Sequence, residues 1–204
     1  MANDYKFWDR MAKRYAKSPV SDEAAYQEKL RRTRAVLTPK AKVLEFGCGT
    51  GSTAIILAPL VQNYVATDIS KEMLGIAREK AKDIENLQFV QKRLEEVAAP
   101  KGGFDAVLAH SILHLLPDKE SAIAQVFALL KPGGVFVSST TCMAKGGFLK
   151  PVLWAGNKAG LLPLVEFFGV DALVGAVSAA GFSIEIRWQP APKSALFLIA
   201  RKPL

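Results

Sequence analysis

Apolar residues in this chain of 204 residues fall into two recurring arrangements, short unbroken runs and stripes at three- and four-residue steps. The runs AKVLEF, NYVAT, LQFV, FDAVLA and GVFVSS read as buried strands, because a strand covered on both faces needs no polar alternation. Between them, Thr53–Leu60, SKEMLGIAREKAKDI and DKESAIAQVFALL carry helical stripes: Met73, Ile76, Ala77 and Ala81 in one, and Ile123, Val126, Phe127 and Leu130 in another that Asp118 caps. Strand and helix alternating at this spacing predict right-handed crossovers and an α/β, doubly wound, mostly parallel seven-stranded sheet. The last two strands, FSIEIRW and ALFLIARK, are joined by QPAPKS, too short for a crossover helix. They predict a C-terminal antiparallel hairpin.

Residues 1–40 form a helical extension ahead of a core at 41–204. Tyr5, Trp8, Ala12 and Tyr15 share one aromatic face. Pro19 interrupts it, Ser21 is the expected cap of a second helix carrying Tyr26, Leu30, Thr33 and Leu37, and Pro39 stops that helix. Residues 141–168 form an apolar insertion before a last helix around Asp171–Ala180. Two readings of the insertion stand side by side. Phe148, Leu149, Leu153, Trp154, Leu161, Leu162, Leu164 and Phe167 either roof an apolar substrate and rest on an anionic membrane beside Lys145, Lys150 and Lys158, or, broken by Pro151 and Pro163, close the core.

Composition narrows the class. Half the residues are apolar and 23% are charged, as in an ordinary globular domain and unlike a disordered chain. Two cysteines, Cys48 and Cys142, are too few for a disulfide framework, have no metal-ligand spacing and fit a reducing, cytoplasmic compartment. The start, MANDYKFWDRMAKRYAKSP, mixes aromatic residues with charges and lacks the pattern of a secretory signal. The uncharged interval Phe46–Thr67 holds glycines, a proline, Gln62 and Asn63, so it reads as turn, helix and strand and not as a membrane span. The net charge of +8 sits at the ends: ten basic and five acidic residues in 1–40, seven and three in 141–204, and near balance between. Such ends suit an anionic substrate, nucleic acid or acidic lipid, or are simply a solvated face.

The sharpest local signal is Val43-Leu44-Glu45-Phe46-Gly47-Cys48-Gly49-Thr50-Gly51. A strand running into closely spaced glycines lets backbone N–H groups approach a ligand, and Asp68 ends the next strand with a carboxylate able to accept both hydroxyls of a ribose. The alternative is a plain tight turn with Asp68 capping the following helix. Dinucleotide binding is the first rival, but its third glycine belongs three residues after the second, where this chain has Ser52. The spacing favours a nucleoside ligand without pyrophosphate.

The runs VLEFGCGTG, ATDIS, FDAVLAH and LKPGGVFV resemble the class I S-adenosylmethionine-dependent methyltransferases, in particular their small-molecule group of the type 11/25 kind, over Lys40–Lys202. The resemblance implies S-adenosylmethionine as cofactor, with S-adenosylhomocysteine as product and no metal. It implies that Gly47, Cys48, Gly49 and Gly51 wrap the methionine and ribose, that Asp68 takes the ribose hydroxyls, and that Ile69 and Met73 pack near adenine. Glu45 would approach the ammonium end or serve the local backbone. FWDRMAKRY looks like the family's lid, with Trp8 and Tyr15 over the methionine end. Where the family commonly has an acid after the third strand, this chain reads FVQKRLEE, so adenine contacts fall to backbone groups around Arg93 and Leu94.

A sulfonium is already an activated methyl donor, so such a site chiefly aligns an acceptor and needs a base only if the acceptor must lose a proton. His110 is the first catalytic candidate and His114 the second, both just past the FDAVLA strand at the carboxyl edge of the sheet. His110 is expected to act by positioning or as pocket wall as well as by proton removal, and His114 either serves there or faces the core. Tyr15 and Tyr26 either touch substrate or pack. Neither cysteine has a partner that would make it a nucleophile. The resulting expectation is methyl transfer to a small, hydrophobic or lipid-like acceptor, with weak peripheral membrane contact and open oligomeric state. The alternatives are a non-catalytic cofactor-binding domain and a nucleic-acid methyltransferase. Against the latter stands the lack of an NPPY-like run, a zinc knuckle or an interleaved basic–aromatic segment.

Overall fold

The computed structural model describes residues 4–144 and 149–204. Lys145 and Phe148, and the side chains of Leu149 and Lys150, lie outside the described residues. Two helices, α1 (Asp4–Lys17) and α2 (Glu23–Ala35), precede the sheet. Then come β1 (Lys42–Phe46), α3 (Ser52–Leu57), β2 (Asn63–Asp68), α4 (Lys71–Lys80), β3 (Leu87–Gln91), β4 (Phe104–His110), α5 (Lys119–Leu129), β5 (Leu130–Thr140), α6 (Leu149–Lys158), α7 (Val170–Ala179), β6 (Ser183–Trp188) and β7 (Leu196–Arg201).

The seven strands lie in the order β3-β2-β1-β4-β5-β7-β6. β1 to β5 pair in parallel, and β7 runs antiparallel to both β5 and β6, which is the expected terminal hairpin. Two apolar layers cover the sheet. On one face Val43, Tyr64, Ala66, Leu108, Val137 and Ile199 pack with Leu30 of α2, Leu57 of α3 and Leu74 of α4. On the other, Leu44, Val107, Phe136 and Leu198 pack with Ile123 and Val126 of α5 and Leu173 and Val177 of α7. Burial on both faces explains why the strands read as unbroken apolar runs.

Local chemistry moved several boundaries. Asp22, not Ser21, caps α2, its carboxylate accepting the Ala25 N–H at 2.9 Å. The helix expected through Leu60 ends at Leu57 and tightens into a 3₁₀ turn at Ala58–Leu60, where Pro59 cannot donate to the α-helical ladder. Leu130, expected on the α5 stripe, begins β5 instead, and Ala122 and Leu129 complete the buried face. The insertion divides between the two readings: Phe168 is buried in the core, Leu164 faces a cavity, and Val152, Trp154 and Leu161 are exposed.

Candidate functional site

β1 and β4 are neighbours at the centre of the sheet, and the strand order reverses between them, so their carboxyl ends open the crevice in which doubly wound sheets hold ligands. A cavity of about 440 Å³ lies there, within the range of small-molecule sites. Gly47, Gly49, Asp68, Ile69 and Met73 line one end, with Trp8 and Tyr15 above them. Arg93, Leu94, His110 and His114 also line it. Glu45, Cys48 and Gly51 stand outside that lining; Glu45 and Cys48 are buried beneath the turn.

The turn is built on left-handed backbone, with φ of 66° at Gly47, 55° at Gly49 and 74° at Gly51. At Gly47 a Cβ would lie 2.6 Å from the Ile112 side chain, so glycine is needed for packing as well as conformation. At Gly49 the nearest atom to such a Cβ is Tyr15 Cε1 at 3.8 Å, leaving the backbone open toward the lid helix. The Cys48 N–H donates to the Thr67 carbonyl at 3.0 Å and ties the turn to β2.

Asp68 is held from both sides. Oδ2 accepts the Gly49 N–H at 2.8 Å, and Oδ1 accepts the Ser70 N–H at 2.9 Å. Burial raises its pKa and these backbone bonds oppose the rise, while Asp9 raises it further. Each oxygen keeps a second lone pair, so the carboxylate can still accept ligand hydroxyls. Glu45 is buried and accepts the Tyr64 hydroxyl at 2.7 Å. Burial lifts its pKa to about 7 despite that bond, and Asp68 adds to the rise.

After β3 the chain forms a 3₁₀ turn, Leu94–Glu96, with the Arg93 N–H donating to Glu96 at 2.7 Å. That bond commits the Arg93 N–H within the stretch whose backbone groups are expected to meet adenine. His110 ends β4 opposite Ser139 of β5, and its Nε2 is buried without a partner. Burial holds its pKa down at about 4, with the Lys29 charge acting in the same direction. His114 faces the cavity as well as the protein interior; its Nδ1 is buried and unpartnered, and burial lowers its pKa.

Several wall residues escaped the sequence reading. Lys92, Ser111, Ile112, the run Leu115–Asp118, Ser121 and Ala122 all line the cavity, and Leu164, one of the residues expected either to roof the site or to close the core, lines it too. Ser111 occupies the left-handed region at φ 56° and donates its N–H to Ser139 at 2.7 Å, fixing the turn that presents His110. Among the described residues no group of three or more His, Cys, Asp or Glu side chains is placed to hold a metal.

Comparison with known proteins agrees with this geometry. A methyltransferase-domain family model matches residues 44–136. The ubiquinone biosynthesis O-methyltransferase of Xanthomonas campestris pv. campestris is 33% identical over 130 residues, which is 63% of this chain and 54% of that one. The chain thus spans about half the length of that curated relative and far less of the longer ones. Among solved structures, the N-methyltransferase NodS of Bradyrhizobium japonicum WM9 with S-adenosylhomocysteine superposes with a TM-score of 0.75 at 17% identity, covering 99% of this chain and all of that one. The [4+2]-cyclase SpnF superposes with a TM-score of 0.74 at 19% identity, covering 92% of this chain and 85% of that one. Sheet order and superpositions together give the chain the fold of the class I S-adenosylmethionine-dependent methyltransferases, and the methyltransferase-domain model matches residues 44–136 within it.

Proposed function

We propose that the chain is an enzyme that transfers a methyl group from S-adenosylmethionine to a small, largely apolar acceptor. The observation that carries the reading is the left-handed turn Gly47–Gly51 bonded through the Gly49 N–H to Asp68, in the wall of a cavity of about 440 Å³. The cofactor, when bound, supplies a methyl group already activated on sulfonium sulfur, which calls for neither metal nor covalent nucleophile.

What the chain adds is placement. Asp68 accepts the ribose hydroxyls, Ile69 and Met73 pack the adenine, and backbone groups around Arg93 and Leu94 contact it. Gly47 and Gly49 admit the methionine portion, while Glu45, Cys48 and Gly51 act from behind the turn by shaping it. Trp8 and Tyr15, on the extension at 1–40, cover that end and keep water out. Ile112, Leu115, Leu116 and Leu164 give the acceptor lobe its apolar wall, with Leu164 supplied by the 141–168 roof. His110 orients the acceptor through a neutral imidazole; a pKa of about 4 makes it a poor proton acceptor, so positioning is its principal role and His114 is the second polar contact.

The same reading places the chain in a reducing, cytoplasmic setting, supported by its two free cysteines. It also gives weak peripheral contact with anionic lipid to the exposed Val152, Trp154 and Leu161 beside Lys158. Titration calorimetry with S-adenosylmethionine, S-adenosylhomocysteine and NAD tests the cofactor. Tight NAD binding without either sulfur nucleoside would reject it. A mass-resolved methyl-transfer screen over lipids, quinone-like phenols, amines and RNA tests the acceptor class, and transfer to RNA alone would overturn the small-molecule reading.

A further inference from the structure

α1 carries Trp8 and Tyr15 into the cavity wall, yet its own burial is shallow. Ala12 is fully buried, whereas Tyr5, Lys6, Arg10, Lys13, Arg14 and Lys17 are exposed and Tyr15 is half exposed. Beyond the half-buried Phe7, Trp8, Met11 and Ala16, other contacts keep this 14-residue helix in place.

Those contacts are polar, and the principal ones converge on Asp9. Its Oδ1 accepts the Ser70 hydroxyl at 2.6 Å and the Glu72 N–H at 3.3 Å, both at the first turn of α4. Ser70 is fully buried. Its Oγ accepts the Met73 N–H at 3.1 Å, capping α4, and its N–H donates to Asp68. A continuous chain of hydrogen bonds therefore runs from Gly49 through Asp68 and Ser70 to α1. A carboxylate brought by one helix to the first turn of another meets unsatisfied N–H groups and the positive end of the helix dipole, which makes the contact charge-assisted. Farther along, the Arg10 guanidinium donates to the Gly160 carbonyl and ties α1 to the segment after α6.

We propose that Asp9 is a positioning residue, a latch that holds α1, and with it Trp8 and Tyr15, closed across the Gly47–Asp68 end of the cavity. The proposal rests on the cofactor reading for what the lid covers, and on the Asp9–Ser70 contact for the latch itself. Opening breaks two hydrogen bonds at Asp9, so the latch lengthens the closed state. Because Ser70 bonds Asp68 and Asp9 at once, the lid closes on the same residue that orients the proposed ribose contact.

Amide hydrogen exchange on the full ligand-free chain reads the latch, and stopped-flow binding of S-adenosylhomocysteine reads its consequence. In Asp9→Ala, amides of residues 5–17 should exchange roughly tenfold faster, as expected for loss of a hydrogen bond to a charged group, while β4 and β5 keep the parent's protection. S-adenosylhomocysteine should leave faster, with its association rate not reduced. Asp9→Asn, which keeps an Oδ1 acceptor, should restore most of the protection. Exchange of α1 at the parent rate in Asp9→Ala, or equal loss of protection in β4 and β5, overturns the latch. If the parent fails to bind S-adenosylhomocysteine while α1 responds as expected, the cofactor reading fails and the latch stands.

Discussion

Tyr64 donates its phenolic proton to the carboxylate of Glu45 at 2.7 Å, and both side chains are sealed beneath the glycine turn, between β1 and β2. Burial outweighs the hydrogen bond and lifts Glu45 to about 7 from an ordinary 4.5. The folded chain therefore holds a proton on Glu45 between pH 4.5 and 7 that the unfolded chain has released.

The sign of the pH dependence follows. A raised carboxyl pKa means stability is lost as pH climbs from 4.5 to 7 and levels off above, by roughly 3 kcal/mol for a shift of this size. Glu45→Gln keeps an acceptor for Tyr64 without the ionisation. Denaturant unfolding should show the variant gaining on the parent across that window, with a constant difference above pH 7.5. A difference independent of pH would show that Glu45 is not protonated in the folded chain.

His110 works in the opposite direction. With its folded pKa held at about 4 against an ordinary 6.5, stability is gained as pH rises from 4 to 6.5, so it partly masks Glu45 in the parent. In catalysis the imidazole is neutral from pH 6 to 9. Replacing His110 with Gln should lower turnover while leaving cofactor affinity near the parent value, without removing any inflection from the rate profile in that range. Unchanged turnover throughout would end the positioning role as well as the base role.

Asp68→Ala removes the acceptor for Gly49 and Ser70 together with the proposed ribose contact. Cofactor affinity measured by calorimetry should fall by roughly 1–3 kcal/mol, the range for a charge-assisted contact. Parent-like binding of both sulfur nucleosides would move the ribose site elsewhere in the cavity.

The strand runs, the Gly47–Gly51 turn, Asp68 at its strand tip and the Asp118 cap were legible because each is set by neighbours a few residues away. The Asp118 carboxylate does accept the Ser121 N–H, at 2.8 Å. Contacts between distant segments left no such trace. Asp9 and Ser70 are 61 positions apart, and nothing in FWDRMAKRY marks its acid as the partner of a hydroxyl on another helix. The Glu166 N–H donates to the His114 carbonyl at 2.8 Å and ties the segment that carries Leu164 to the turn after β4, a contact that spacing along the chain does not announce. The Arg93 N–H goes to Glu96 three residues on, a local choice that spacing alone leaves open.

The insertion supplies the last prediction. Trp154, Val152 and Leu161 are 66%, 59% and 63% exposed on α6 and the turn after it, and the Lys158 ammonium lies 5.9 Å from the Trp154 ring centroid. Arg10 binds the Gly160 carbonyl, which joins this apolar surface to the basic side chains of α1. An amphipathic ring buried among lipid headgroups, with ammonium groups held in water above apolar stems, is the arrangement of an interfacial helix. No helix among the described residues is long and apolar enough to cross a bilayer. Leu164, close by in sequence, lines the cavity, so the exposed apolar surface and the cavity wall share one short segment. In vesicle sedimentation the parent should pellet with anionic and not with neutral lipid, and less so as salt rises. Trp154→Ala and the triple change Lys145/Lys150/Lys158→Gln should each reduce the pelleted fraction, the first through lost apolar contact and the second through lost charge. A parent that stays in the supernatant at both low and physiological salt would reduce α6 to a roof over the acceptor, and an apolar acceptor would then have to reach the cavity from solution or from a carrier.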